Sequence, residues 1–311
     1  QDKDNGRFLL IMPTGGGKTL TAIRAVDNMI KKGIINEKNK CLWVTHLKSL
    51  KDQTISVRDN VENKDFINSF NFSDRLSDFL RIEMKKSASE IVESDHNKEY
   101  KFIIIDECHH SGAKSYDIFF NRRHLGILGL TATAKRLDNK VLNFDKPIYQ
   151  ITGAKLQDLG VITKPDLEDI QLGFEIGVSD LDSNQANQFN IKERNQKIID
   201  RILHKRENSP DQYSKMIIYV NTINHAKDLW KEFNNSHGKL NKLYEFGAHY
   251  ILGGDNNSLG INNTELLNQF RNAKSGIIIN VDVLSEGFDD PSIDTIVMAV
   301  PTSSLIRYIQ R

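Results

Sequence analysis

Arg7-Phe8-Leu9-Leu10-Ile11-Met12-Pro13-Thr14-Gly15-Gly16-Gly17-Lys18-Thr19 is the stretch whose reading decides the fold of this chain. Residues 7–11 form an apolar run of the kind a buried parallel strand requires. A glycine-rich turn follows, and then residues 19–32, where Leu20, Ile23, Val26 and Ile30 recur at helical spacing. Such a turn between strand and helix leaves backbone N–H groups pointing into a cup that fits phosphate oxygens. Thr14, Gly15, Gly16 and Gly17 would line the cup, Lys18 would reach the β- and γ-phosphates, and the Thr19 hydroxyl would ligate Mg²⁺. The plainer alternative is a turn that only caps a core strand.

A second stretch weighs against that alternative. Phe102-Ile103-Ile104-Ile105 is another buried-strand run, and Asp106-Glu107-Cys108-His109-His110 follows it directly. An aspartate at a strand end can hold the same metal through water. The adjacent Glu107 can polarise a water that attacks the γ-phosphate. Together the two stretches read as a nucleoside-triphosphate hydrolase.

At 311 residues, 39% hydrophobic and 27% charged, the chain is long enough for two domains of ordinary size. No apolar run approaches the ~20 residues that span a bilayer, and no secretory signal opens the sequence, so no membrane partner is expected. The abrupt polar start is what a piece of a longer protein would show. Net charge is +1, which argues against a protein held on nucleic acid by bulk positive charge. It does not exclude nucleic-acid binding through a few local contacts, however. The basic pairs Lys85-Lys86, Arg122-Arg123 and Lys135-Arg136 read as solvated surface before phosphate contacts. Cys41 lies in a strand-like run and Cys108 in the acidic motif. Neither has metal-ligand spacing, and a disulfide would tie up the site, so a reducing, cytoplasmic setting fits.

Strand runs at 42–45, 102–105 and 127–130 alternate with helical patterns, which predicts a parallel α/β architecture. Residues 57–97 are charged and mostly helical in pattern, without securely placed elements. Gly153, Gly160, Pro165 and Gly173 punctuate residues 148–172, the expected junction of two domains at 1–160 and 161–311. Beyond it, helices are expected at 191–207, 225–234 and 264–272, strands at 216–220, 277–281 and 295–300, and a last helix over 303–311.

Three further segments carry a resemblance. Gly129-Leu130-Thr131-Ala132-Thr133 follows the acidic motif. Asn280-Val281-Asp282-Val283-Leu284-Ser285-Glu286-Gly287-Phe288-Asp289 closes the second half, and Gln310-Arg311 ends the chain. With Met12-Pro13 standing where the general P-loop pattern has its first glycine, the set resembles the superfamily 2 helicase and translocase motor core of DExH type. The nearest likeness is to restriction-enzyme-type translocases and XPB-like helicases. Relatives usually carry proline after the second threonine, where this chain has Ala134, and the upstream glutamine motif that reads adenine is not visible.

The resemblance implies two tandem RecA-like domains, parallel sheets flanked by helices, with ATP in the cleft between them. It implies ATP and Mg²⁺ as cofactors, with Thr19 and Asp106 on the metal. Lys18, Asp106, Glu107 and His109 become the catalytic set, and Gly287 and Asp289 approach the nucleotide. Thr131, Thr133 and Gln310 couple nucleotide state to closure, and the arginines expected after Gln310-Arg311 would lie beyond residue 311. Thr45, His46 and Lys48 resemble the first domain's nucleic-acid segment, and Asn221 and Thr222 its second-domain counterpart. Strand-to-helix turns capped by threonine would look the same. Nucleic acid, duplex DNA foremost, and nuclease or defence-complex subunits are the implied partners, in restriction, phage defence or DNA repair. A double-stranded RNA motor or sensor and a low-turnover ATP-gated clamp are the competing readings. A metal hydrolase on His109-His110 is weaker, since adjacent histidines rarely share one metal.

Overall fold

In a computed structural model of the chain, residues 6–59, 72–95, 98–133, 142–169, 187–235, 237–284, 288 and 290–300 are described. The chain divides into two units, Gln1–Pro165 and Asp166–Ile309.

In the first unit the apolar runs become β1 (Arg7–Ile11), β2 (Lys40–Thr45), β3 (Leu80–Met84), β4 (Tyr100–Ile105), β5 (Gly126–Thr131) and β6 (Lys146–Gln150), and α1 (Lys18–Lys31) follows β1. They lie in the order β3-β2-β4-β5-β1-β6, every pair parallel. Successive side chains of a strand point to opposite faces, so each buried strand feeds two cores. Leu9, Ile11, Val44, Ile103 and Ile105 pack with Ala88 and Val92 of the helix Lys85–Ser94. Leu10, Trp43, Ile104 and Leu130 pack with Ala22, Ile23 and Val26 of α1 on the other face. The order matters for function: β5 lies between β4 and β1, so the acidic motif, the threonine segment and the glycine loop leave the C-terminal end of the sheet side by side.

Two strands were not expected. β3 lies inside the charged stretch 57–97, and β6 lies at the start of the supposed junction. All of β6 is exposed. Its register slips where Leu9 faces Pro147 and Leu10 faces Tyr149, leaving Ile148 as an extra residue. Asp145 N and Ile151 N both donate to β1 carbonyls, so a proline in the same alternation has no N–H to offer and the ladder breaks there.

The second unit holds β7 (Lys215–Tyr219), β8 (Ala248–Leu252), β9 (Asn256–Asn257), β10 (Gly276–Asn280) and β11 (Thr295–Met298). Their order is β11-β7-β10-β8-β9, parallel except for β8 with β9. Helices Lys192–Asn208 and Ile223–Asn235 cover one face through Ile198, Ile202, Leu229 and Phe233. Helix Asn263–Asn272 covers the other through Leu266 and Phe270. These strands and helices stand where the sequence pattern puts them, β8 and β9 excepted. Residues 303–311 lie outside the described residues. Among those described, no helix is long and apolar enough to cross a membrane.

Candidate active site

The glycine loop is closed from both sides. Met12 N donates to Thr131 O at 3.0 Å, and Gly16 N donates to Pro13 O at 3.0 Å. Gly15 (φ 74°) and Gly17 (φ 85°) take the left-handed backbone that residues with a Cβ rarely adopt. A Cβ on Gly16 would sit 2.8 Å from Leu156 Cδ1 and 2.9 Å from the Pro13 carbonyl oxygen. Thr14 is exposed, Lys18 buried and Thr19 half-buried in the first turn of α1.

Asp106 leaves β4 with its N–H donating to Val44 O at 3.0 Å, and its own Oδ1 accepts the Glu107 amide at 3.0 Å. Glu107 adopts φ 45°, a left-handed conformation for a non-glycine residue. Its carboxylate lies between two partners: Lys18 Nζ stands 3.6 Å from Oε1 and His109 Nδ1 stands 3.3 Å from Oε2. Asp106 is 4% exposed. Burial first, and then the charge of Glu107, push its carboxyl up to about 6, against the pull of Lys18, the Glu107 amide and the Trp43 indole. A divalent cation would favour its ionised form, and an aspartate with a threonine hydroxyl is a hard-oxygen donor pair suited to Mg²⁺. Among the described residues no three His, Cys, Asp or Glu side chains are grouped to hold a metal. An ion here would need oxygens from the nucleotide as well.

Thr131 is fully buried at the end of β5. Its hydroxyl donates to Thr133 O at 2.8 Å and accepts Thr133 N at 3.1 Å. With the Met12 bond this joins the threonine segment to the glycine loop. The same strand meets the acidic motif at Gly129, where a Cβ would lie 2.7 Å from Cys108 Sγ.

The residues expected to touch nucleic acid separate. Thr45 is fully buried and its hydroxyl donates to Leu47 O at 3.2 Å. Its side chain shapes the turn after β2. Lys48 is exposed at the start of helix Lys48–Arg58. His46 is half-buried, its ring centroid 4.4 Å from that of His110. Asn221 is half-buried; Thr222 accepts His225 N on its hydroxyl at 3.2 Å and so caps the helix Ile223–Asn235.

Gly287, Asp289 and Gln310 lie outside the described residues. The segment leading to them is fixed from within: buried Asn280 accepts Val283 N at 3.1 Å and Leu284 N at 3.0 Å on Oδ1. Tyr219 donates its hydroxyl to Leu284 O at 3.0 Å. Sequence reasoning gave Asn280 no role of its own and weighed His110 only as half of a weak His109-His110 metal pair. The Asn-Val-Asp spacing after an apolar strand was the available signal for the first.

Comparison with known proteins places these features in a family. Residues 1–136 match the family described as type III restriction enzyme, res subunit, and residues 194–311 match the helicase conserved C-terminal domain. A Saccharomyces cerevisiae protein provisionally named ATP-dependent helicase IRC3 is 24% identical over 98% of this chain and 45% of its own length. An Acanthamoeba polyphaga mimivirus protein provisionally named ATP-dependent RNA helicase L396 is 24% identical over 99% of this chain and 57% of its own. Among solved structures, a fragment assigned as an HsdR subunit of a type I restriction enzyme from Vibrio vulnificus YJ016 superimposes with a TM-score of 0.66. It is 17% identical and is matched over 98% of this chain and 56% of its own. The chain thus spans about half the length of the curated relatives it matches.

Proposed function

Because the chain belongs to the superfamily 2 helicases, a family of ATP hydrolases, with a restriction-type first domain and a helicase C-terminal second domain, we propose that it is the core of an ATP-driven translocase on duplex DNA. The observation that carries the chemistry is Glu107 held between Lys18 at 3.6 Å and His109 at 3.3 Å. The glycine loop binds the triphosphate through backbone N–H groups, and Lys18 neutralises its terminal charge. Thr19 and Asp106 would hold Mg²⁺, which supplies charge neutralisation on the phosphate oxygens. Glu107, fixed by its backbone and by His109, takes the proton of the attacking water. Thr131 and Thr133 tie this geometry to the glycine loop and carry its state outward. The restriction-type first domain favours duplex DNA as the track, and restriction, phage defence or repair as the setting.

The mimivirus relative's name supports a second reading, an RNA motor. Steady-state ATPase of the full-length protein with duplex DNA, single-stranded DNA and duplex RNA separates the two. Stimulation by duplex DNA that Lys18→Ala lowers at least about 10³-fold is the expected result. Stimulation by RNA alone would move the assignment to RNA. ATP binding without stimulation by any polymer would leave an ATP-gated clamp. Undiminished turnover in Lys18→Ala would sink the hydrolase itself.

A further inference from the structure

The turn after β2 and the acidic motif after β4 meet because β2 and β4 are neighbours, with Val44 opposite Ile105 and Asp106 N bonded to Val44 O at 3.0 Å. At that meeting point three imidazoles form one continuous stack. The His46 ring lies 4.4 Å from His110, tilted 48°, and the His110 ring lies 4.1 Å from His109, tilted 42°. The far end of the stack reaches the hydrolytic carboxylate, His109 Nδ1 being 3.3 Å from Glu107 Oε2. At the near end, His46 is followed two positions later by the exposed Lys48. His110 N also donates to Glu107 O at 3.1 Å, so the backbone of His110 bears on Glu107 directly while its ring bears on it through His109.

We propose that His110 is a positioning residue: through the stack it transmits occupancy of the turn after β2 by a nucleic-acid strand to the orientation of Glu107. Two features carry this. His110 is half-buried between a residue of the acidic motif and one from a separate loop. Rings in contact move as a packed unit, so a shift of the turn around His46 is passed to His109 without any proton being moved. The same packing explains why a second histidine follows His109, which alone suffices to reach Glu107. The inference rests on the translocase reading above and assigns it a path from track to chemistry.

The test is ATPase of the full-length protein, with and without duplex DNA, for wild type, His110→Ala and His110→Phe, with DNA affinity measured separately in a non-hydrolysable ATP analogue. His110→Ala should lower DNA-stimulated kcat about tenfold, with KM for ATP and DNA affinity within about twofold of wild type. His110→Phe, which restores a flat ring, should recover most of the stimulation. A double cycle with His46→Ala should be non-additive, the second removal costing little once the stack is broken. Full stimulation in His110→Ala overturns the proposal, as does equal loss in the alanine and phenylalanine variants. Loss confined to DNA affinity would make the stack a binding surface and also overturns it. A wild-type protein that no polymer stimulates overturns the translocase reading and the relay together, whereas a stimulated wild type with a normal His110→Ala variant overturns the relay alone.

Discussion

Glu107 pays for its left-handed backbone: φ 45° costs a side-chain-bearing residue about 1–2 kcal/mol. The hydrogen bond its N–H donates to Asp106 Oδ1 and the flanking Lys18 and His109 hold it there. Strain retained by such surroundings marks a residue whose direction matters more than its comfort. The support behind it is also tight. Gly129 on β5 faces Cys108, and an added methyl would lie 2.7 Å from Cys108 Sγ and 2.5 Å from the Phe144 ring. Gly129→Ala should therefore destabilise the first unit by about 1–3 kcal/mol and weaken ATP turnover by displacing the acidic motif, read by denaturant titration and ATPase. A variant as stable and active as wild type would mean that the Phe144 ring swings clear.

At the scale of elements, the loop after β10 is fastened at its far end by a buried lysine. Lys215 is 3% exposed, donates to Arg271 O at 2.7 Å and Ser292 Oγ at 2.8 Å, and lies 3.8 Å from Asp290 Oδ2. Lys215→Met removes the ammonium that lies 5.2 Å from the Phe270 ring centroid and leaves the Asp290 carboxylate without its cation. A loss of about 3 kcal/mol in the second unit is expected, with faster hydrogen exchange in β7 and β10. Legibility in the sequence followed the same logic of context. The glycine loop and the acidic motif could be read because each is one contiguous segment at the end of an apolar strand. β3, spelled Leu-Arg-Ile-Glu-Met, has Arg81 and Glu83 paired at 2.9 Å on the face opposite Leu80 and Ile82, and its five alternating residues were too short to stand out amid helical neighbours. β6 buries nothing and left no pattern at all. The His46–His110 contact depends on β2 lying beside β4, which no local spacing encodes. Thr222 reads equally as ligand or cap until the helix after it is seen.

At the scale of the molecule, the two units carry buried groups that respond to acid in opposite directions. His225 in the second unit is held down to about 4, by burial first and then by Arg194. Between about pH 6.5 and 4 the unfolded chain binds that proton and the folded unit does not, so stability present above 6.5 is lost as pH falls. Asp106 in the first unit, raised to about 6, behaves the other way: the folded form binds its proton first, and this group favours folding as pH falls from 6 toward 4. Each is worth at most about 3 kcal/mol. Hydrogen exchange without Mg²⁺ or nucleotide, at about pH 7.5 and about pH 5 with intrinsic rates corrected, should show protection lost selectively in the second unit. His225→Gln should flatten that loss, and Asp106→Asn should remove the opposing gain in the first unit.

Both cysteines of the chain, Cys41 and Cys108, are buried free thiols of the first unit, one in the core on each side of its sheet. Burial pushes both thiols above their usual range, and alkylating and disulfide reagents need an accessible thiolate. The folded protein should therefore be silent to such reagents, and every labelled molecule counts as one whose first unit has opened. The second unit contributes no background to that count. The chain thus carries its own chemical clock, which times the breathing of the hydrolytic half without a single introduced label.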